Sequence, residues 1–150
     1  MLDILWGTKT VAFFDIWLLE HFISGVSMGK MVSDHNRNIL SLKGFLHKHH
    51  VHPRFFDIVG VLCLAYAWET VEHYLEVGLL GSRVEYWFYG VEFWGNRLIT
   101  DPLMMVLGYL FVQKFPHMVV YARIFMIIWL IFHVFIFPHS MYLQEIVPFL

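Results

Sequence analysis

Glu69, Glu72, His73 and Glu76 stand at helical spacing in "AWETVEHYLEVGLL", residues 67–80, directly after a nearly uninterrupted apolar run. On a helix turning about 100° per residue they fall within an arc of about 100° and form one polar stripe. Carboxylates so placed repel one another and need a counter-charge. The sequence offers three remedies: Arg97 and Arg123 as permanent cations, a bound divalent metal ion, or protonation. Glu69, Glu72 and His73 have the residue types of an acid–base group, and Asp101 joins them as a fourth catalytic candidate.

The second chemical signal is "GNRLITDP", residues 95–102. Arg97 and Asp101 are four apart and would pair on a continuous helix. Asn96 follows Glu92 by the same spacing and offers a donor and an acceptor, so Asn96 and Arg97 are candidate ligand-binding residues. Thr100 or Asp101 can cap a helix whose first turn accommodates Pro102, and a helix N-terminus is itself an anion site. The plainer reading is a turn at Gly95 followed by a helix start.

Asp15 and His21 in an early apolar segment, and His133 in a late one, complete the metal-ligand candidates: Asp15, His21, Glu69, Glu72, His73, Glu92 and His133. A lone histidine such as His133 is more often a hydrogen-bonded structural group than a ligand. Arg123 reads as a residue snorkelling to the interface. The tract "LHKHHVHPR" matches no closed zinc pattern, so His47, His49, His50 and His52 read as surface histidines. Cys63, the one cysteine, reads as a small buried apolar residue and excludes an internal disulfide. Glu76 also has an ordinary reading, as a solvated residue at the membrane interface.

The elements that must position these groups follow from composition. Of 150 residues 59% are hydrophobic, 19% aromatic and only 15% charged. Such a chain cannot cover itself with a polar surface, which points to a polytopic membrane protein with a single integral domain spanning residues 1–150. A net charge of −2 provides no basic field, so nucleic acid is excluded as a partner. The N-terminus lacks a basic region before its apolar run and reads as retained.

Four spans can be drawn, over about residues 11–32, 55–80, 99–115 and 117–137. The second would be roughly 39 Å long at about 1.5 Å per residue. The third, counted from "TDP", reaches only about 21 Å against a hydrocarbon core of about 30 Å, so it must either be extended by the aromatic stretch "VEYWFYGVEFWGNRL" or be a short or broken span. Broken spans are tolerated where protein or a polar cavity satisfies the backbone. Arg37, Lys43, Lys48 and Arg54 place the 33–54 loop in the cytoplasm and both termini outside. The polar groups of all four segments then converge on the outer half. Charges facing acyl chains would cost about 3 kcal/mol each on insertion scales, so the stripe must face the bundle interior. The aromatic residues 86–94 read as an interfacial belt.

"FFDIWLLEHFISGVSMG", "WETVEHYLE" and "GVEFWGNRLITDPLMMVLGYL" resemble, in order and rough spacing over residues 13–111, the polar motifs of the small VanZ-like and YjdF-like bacterial inner-membrane proteins. The chain departs from that pattern in having "GVE" for the commoner Gly-Asp, Arg97 beside the asparagine, and a "FPHSMYLQEI" tail. The resemblance implies a bacterial inner-membrane location and shared polar positions. It implies little chemistry.

The expected architecture is an all-α bundle of about four transmembrane helices whose outer half encloses an acid-rich pocket. Three functions fit it. The first is an enzyme or binding protein acting on an envelope lipid or lipid-linked precursor, with the carboxylates and His73 holding a divalent cation or serving as acid and base. The second is a proton- or cation-coupled transporter, disfavoured by the oily inner halves of the spans. The third is a non-catalytic subunit of a membrane complex, docking on a membrane-protein partner or a second copy through residues 86–94 and the tail "EIVPFL".

Overall fold

The computed structural model describes residues 2–49, 51–139 and 141–146, and within them all side chains but those of residues 2, 3 and 40–43. The described chain is all-helical and contains no strand; its one isolated bridge joins Trp6 and Phe14. In order the helices are α1 (Leu2–Leu5), α2 (Leu18–Asn38), α3 (Leu40–Lys48), α4 (Pro53–Glu76), α5 (Ser82–Phe88), α6 (Asp101–Lys114), α7 (Met118–Ile131) and α8 (Tyr142–Ile146). Two π-helical turns, Asn96–Thr100 and Phe132–Ile136, adjoin α6 and α7.

Three boundaries differ from the sequence expectation. Residues 11–17 are not part of the first long helix, because Asp15 turns its carboxylate back onto the Trp17 N–H (2.8 Å), an alternative to helical bonding that short polar side chains offer. The segment folds instead on the chain start, Phe13 and Phe14 donating to the Ile4 and Leu5 carbonyls. At its other end α2 continues to Asn38, and α3 occupies the expected loop. The second long helix ends at Glu76, before Gly78, whose φ of +84° favours glycine.

Of the two alternatives for the third helical segment, the structure has the extension into the aromatic stretch and not the short or broken span. The segment is helical from residue 94 to residue 114, about 31 Å at about 1.5 Å per residue. Pro102 lacks the N–H that would bond the Leu98 carbonyl, and that carbonyl accepts from the Tyr66 hydroxyl at 3.0 Å. One residue earlier, the Asp101 N–H reaches back five positions to the Asn96 carbonyl, the bond of a π turn. The proline thus bulges the helix without ending it, and Asp101 sits inside the helix instead of capping it.

α2 lies at the centre, packed most extensively on α6 and also on α7 and α4, which in turn packs on α6. A Cβ at Gly25 would lie 2.1 Å from the Met105 carbonyl oxygen, and one at Gly108 2.1 Å from that of Phe22, so the α2 and α6 backbones touch because these residues have no side chain. His21 stands one turn before Gly25, and Asp101 one turn before Met105. The contact therefore sets His21 against Asp101. Val26, Val112, Val119 and Ala122 pack one side of α2, and Val61, Ala65, Met105 and Tyr109 fill the α4–α6 seam.

Outward faces are apolar: Val120, Ile127 and Phe135 are 61%, 60% and 79% exposed, while Asp15, Glu69 and Asp101 are 2% exposed or less. Among the described residues one helix, Met118–Ile136, is long and apolar enough to cross a membrane by length and composition. Cys63 is exposed, not buried as the sequence suggested, on the outward side of α4. The described tract histidines, His47, His49 and His52, are exposed, and Arg123 is exposed; His50 and residues 147–150 of the tail lie outside the described residues.

Candidate functional site: a buried acid and histidine cluster

Five carboxylates are buried at one end of the bundle, those of Asp15, Glu69, Glu76, Glu92 and Asp101, with two buried cations, Lys9 and Arg97, among them. Ionised, they leave an excess of three negative charges, and they divide into a compensated and an uncompensated half. In the first, Glu76 accepts from Lys9 Nζ at 2.6 Å, from an Arg97 Nη and from the Glu92 N–H at 3.0 Å. Glu76 is therefore not the solvated interfacial residue of the plainer sequence reading. Arg97 also lies near Glu92 (3.4 Å) and Glu69 (3.7 Å), and its Nη1 donates to His73 Nδ1 at 3.1 Å. It faces this acid group and does not form the expected i, i+4 pair with Asp101.

Asn96 ties the compensated half to Asp15. Its Nδ2 donates to Asp15 Oδ2 and to Glu92 Oε1, each at 3.0 Å, and its Oδ1 accepts from the Thr100 hydroxyl at 2.5 Å. The same hydroxyl lies 2.6 Å from the Phe13 carbonyl, tying the N-terminal segment to the π turn. Burial pushes the Asp15 carboxyl up to about 6, opposed by the Trp17 N–H, Lys9 and Asn96. Burial, followed by the nearby charge of Glu72, pushes Glu92 up to about 8 against the pull of Arg97.

The uncompensated half is His21, Glu69 and Asp101, all buried, with potential ligand atoms within 4.8 Å of one another. His21 Nε2 is 3.4 Å from Asp101 Oδ2, and Nδ1 is 3.6 Å from Glu69 Oε1. No N–H or hydroxyl donor reaches any of the four buried carboxylate oxygens of Glu69 and Asp101, and the Asp101 and Glu92 carboxyls lie against one another. Charge-assisted N–H···O bonds are about 2.7–2.9 Å long, so an imidazolium bridging the two acids would sit closer. Donors bound at about 2.0–2.1 Å to one tetrahedral ion are about 3.4 Å apart, which is the separation of His21 Nε2 from Asp101 Oδ2, while Glu69 lies nearer the opposite ring nitrogen. Each nitrogen faces one acid, so an ion would take a single nitrogen and carboxylate oxygens. One imidazole with carboxylates is a ligand set for zinc, manganese or a similar divalent ion.

The other sequence candidates have different places. Asp15, Glu92 and Asn96 adjoin the cluster through the bonds above. Glu72 is half-buried, in the field of Lys9, Glu76 and Arg97. His73 is occupied by Arg97. His133 is not brought to this group; it packs among the rings of Trp17, Trp87 and Tyr142. Sequence reasoning missed Lys9, which lies before the first expected span; a lone lysine in the apolar "LWGTKTVAFF" was a signal that a buried acid awaits it. It also missed Asp57, buried near the other end of α4, which accepts from Asn36 (2.7 Å) and Tyr109 (3.1 Å).

Comparison of the chain with known protein families, with curated proteins and with solved structures gave no match. What the site does is therefore read from its own geometry.

Proposed function

We propose that this chain is an integral membrane protein of four spans that holds a divalent cation between His21, Glu69 and Asp101, near the extracytoplasmic face, and acts there on an envelope lipid or lipid-linked substrate. The spans are α2, α4, residues 94–114 and residues 118–136. The observation that carries the reading is the group of four buried carboxylate oxygens, reached by no N–H or hydroxyl donor, around one imidazole. A fold does not keep such oxygens dry unless something completes them. The inside-out distribution of polarity supports the bilayer part, since large apolar side chains face outward over α7 while the charges are inside. The basic 33–54 segment favours both termini outside, and the resemblance to VanZ-like proteins points to a bacterial inner membrane.

In this reading the cation would supply Lewis acidity to a substrate oxygen. Lys9 and Arg97 hold Glu76, which in turn fixes Arg97 at the edge of the cluster. Asn96 keeps Asp15 and Glu92 in place, while Glu72 and His73 stand at the periphery as the acid–base candidates. The test is elemental analysis and lipid extraction of the purified full chain. The expected result is a stoichiometric divalent cation together with a retained polar lipid. A well-folded preparation with neither overturns the proposal.

Proton- or cation-coupled transport is the second reading, and Asp57 favours it by adding a buried acid to the inner half of α4. The two acid groups are about 18 Å apart along that helix, counting 12 residues at about 1.5 Å each. Packed Val61, Ala65 and Met105 fill the seam. Cation flux in reconstituted vesicles that disappears in Asp57→Asn would establish this reading in place of the first.

A further inference from the structure

A cleft of about 190 Å³ opens on the outward side of α4 beside the π turn, lined among others by Tyr66, Glu69, Thr70, His73, Arg97 and Leu98. Its mouth is formed by exposed residues, Thr70 and Leu98, with Tyr66 beside them. Its floor includes Glu69, one of the three proposed cation ligands; His21 and Asp101 lie behind Glu69 and do not line it. Resting on the cation reading above, we infer that this cleft receives a phosphate ester head group from the side of the bilayer.

The chemical class follows from the polar hydrogens that are free there. Arg97 Nε is buried and unpartnered, with Glu69 Oε2 lying beyond hydrogen-bond distance at 3.7 Å. His73 Nδ1 accepts from Arg97, because a guanidinium can only donate, so the ring carries its proton on Nε2. Two N–H groups on neighbouring side chains ask for a ligand that brings acceptor oxygens. The tetrahedral oxygens of a phosphate meet that demand, and arginine is the residue best matched to them. A primary ammonium brings only donors and would oppose Arg97. A neutral hydroxyl brings a single acceptor oxygen to two N–H groups. Glu69 by itself would repel the phosphate; with a cation on its oxygens it becomes part of an attractive site, and a phosphate oxygen entering over Glu69 approaches that cation. Tyr66 and Leu98 at the mouth offer apolar surface to the acyl chains of a lipid-borne ester.

The experiment uses the full chain loaded with Mn²⁺, in detergent, with native mass spectrometry counting bound dioleoyl phosphatidic acid against dioleoylglycerol, which lacks the phosphate. The monoester should be preferred by about tenfold or more, the margin expected when a charged donor group loses its partner. Thr70→Trp fills the mouth from an exposed position and should reduce phosphatidic acid binding about tenfold while leaving Mn²⁺ binding unchanged. His73→Ala, which needs no added volume, should reduce it several-fold. Millimolar inorganic phosphate separates the sources: displacement of the lipid shows that free phosphate is also a ligand, and persistence shows that the ester must come on a lipid. Equal binding of the two lipids, or phosphatidic acid binding undiminished in both variants, overturns the inference while Mn²⁺ binding stands. Absence of Mn²⁺ binding overturns the cation reading, and the cleft inference with it.

Discussion

His21 Nε2 lies 3.4 Å from Asp101 Oδ2, across the line where α2 and α6 touch backbone to backbone. The separation is too long for a charge-assisted hydrogen bond and is that of two ligands on one ion. The glycines that permit this approach are thus part of the site, although they carry no chemistry.

Gly25→Ala tests that link. The added methyl meets a backbone oxygen and cannot be relieved by a side-chain rotation, so the two helices must separate. The expected cost is about 1–3 kcal/mol of stability, with a loss of divalent cation affinity greater than in Ala12→Gly, a buried control in the N-terminal segment. Thermal unfolding and Mn²⁺ titration of both variants measure it. An unchanged affinity in folded Gly25→Ala would separate helix packing from the site.

Lys9→Met removes one of the two counter-charges on Glu76. Breaking a buried ion pair from one side costs about 3–5 kcal/mol, and the residual Arg97 contact places the expected loss near the lower end. Lys9→Arg should recover part of it. Differential scanning in detergent reads the change, and a variant as stable as the natural chain would mean that Arg97 alone neutralises Glu76.

The Asp15 carboxyl is held at about 6 in the fold against 3.8 in the unfolded chain. A raised acid binds more protons folded than unfolded between these values, so its contribution to stability falls as pH rises from about 4 to about 6 and is lowest above that. Asp15→Asn removes this dependence and keeps an acceptor for the Trp17 N–H. The natural chain should therefore lose stability relative to Asp15→Asn over that window, in cation-free buffer, as measured by melting temperature against pH. A constant difference across the window would contradict the assigned environment of Asp15.

Cys63 lies on the outward side of α4 and is the single thiol of the chain. In a bilayer it faces hydrocarbon, where thiolate does not form. A membrane-impermeant maleimide should fail to label it in intact or permeabilised membranes and label it fully after denaturation in detergent. Rapid labelling in membranes would place this face of α4 in water and remove the four-span reading.

The sequence made some of this legible and hid the rest for physical reasons. The helical class, and the convergence of Glu69, Asp101, Asp15 and His21, follow from helical periodicity and from the cost of charge in an apolar segment. The path of residues 11–17 does not, because Asp15 as a local acceptor for Trp17 competes with helix formation only once Ile4 and Leu5 give Phe13 and Phe14 another partner. The choice between an extended and a broken third segment also lay out of reach, since it depends on Tyr66, in a different helix, taking the carbonyl that the proline frees. Lys9 was hidden by its position before the first apolar run and Asp57 by standing alone at the start of the second; each is found only through its partner. His133 shared the expected depth of the cluster, but depth fixes neither azimuth nor contact, and its neighbours are aromatic.

Asp101→Asn, compared with the natural chain in a Mn²⁺ titration of purified, folded protein, tests the central claim most directly. The natural chain should bind about one ion and gain about 2.7 kcal/mol of stability at a free concentration a hundred times the dissociation constant; the variant should remain folded, be at least as stable without the ion because one buried charge is gone, and show neither binding nor gain. Equal behaviour of the two proteins, with no ion bound by either, would contradict a cation site at His21, Glu69 and Asp101.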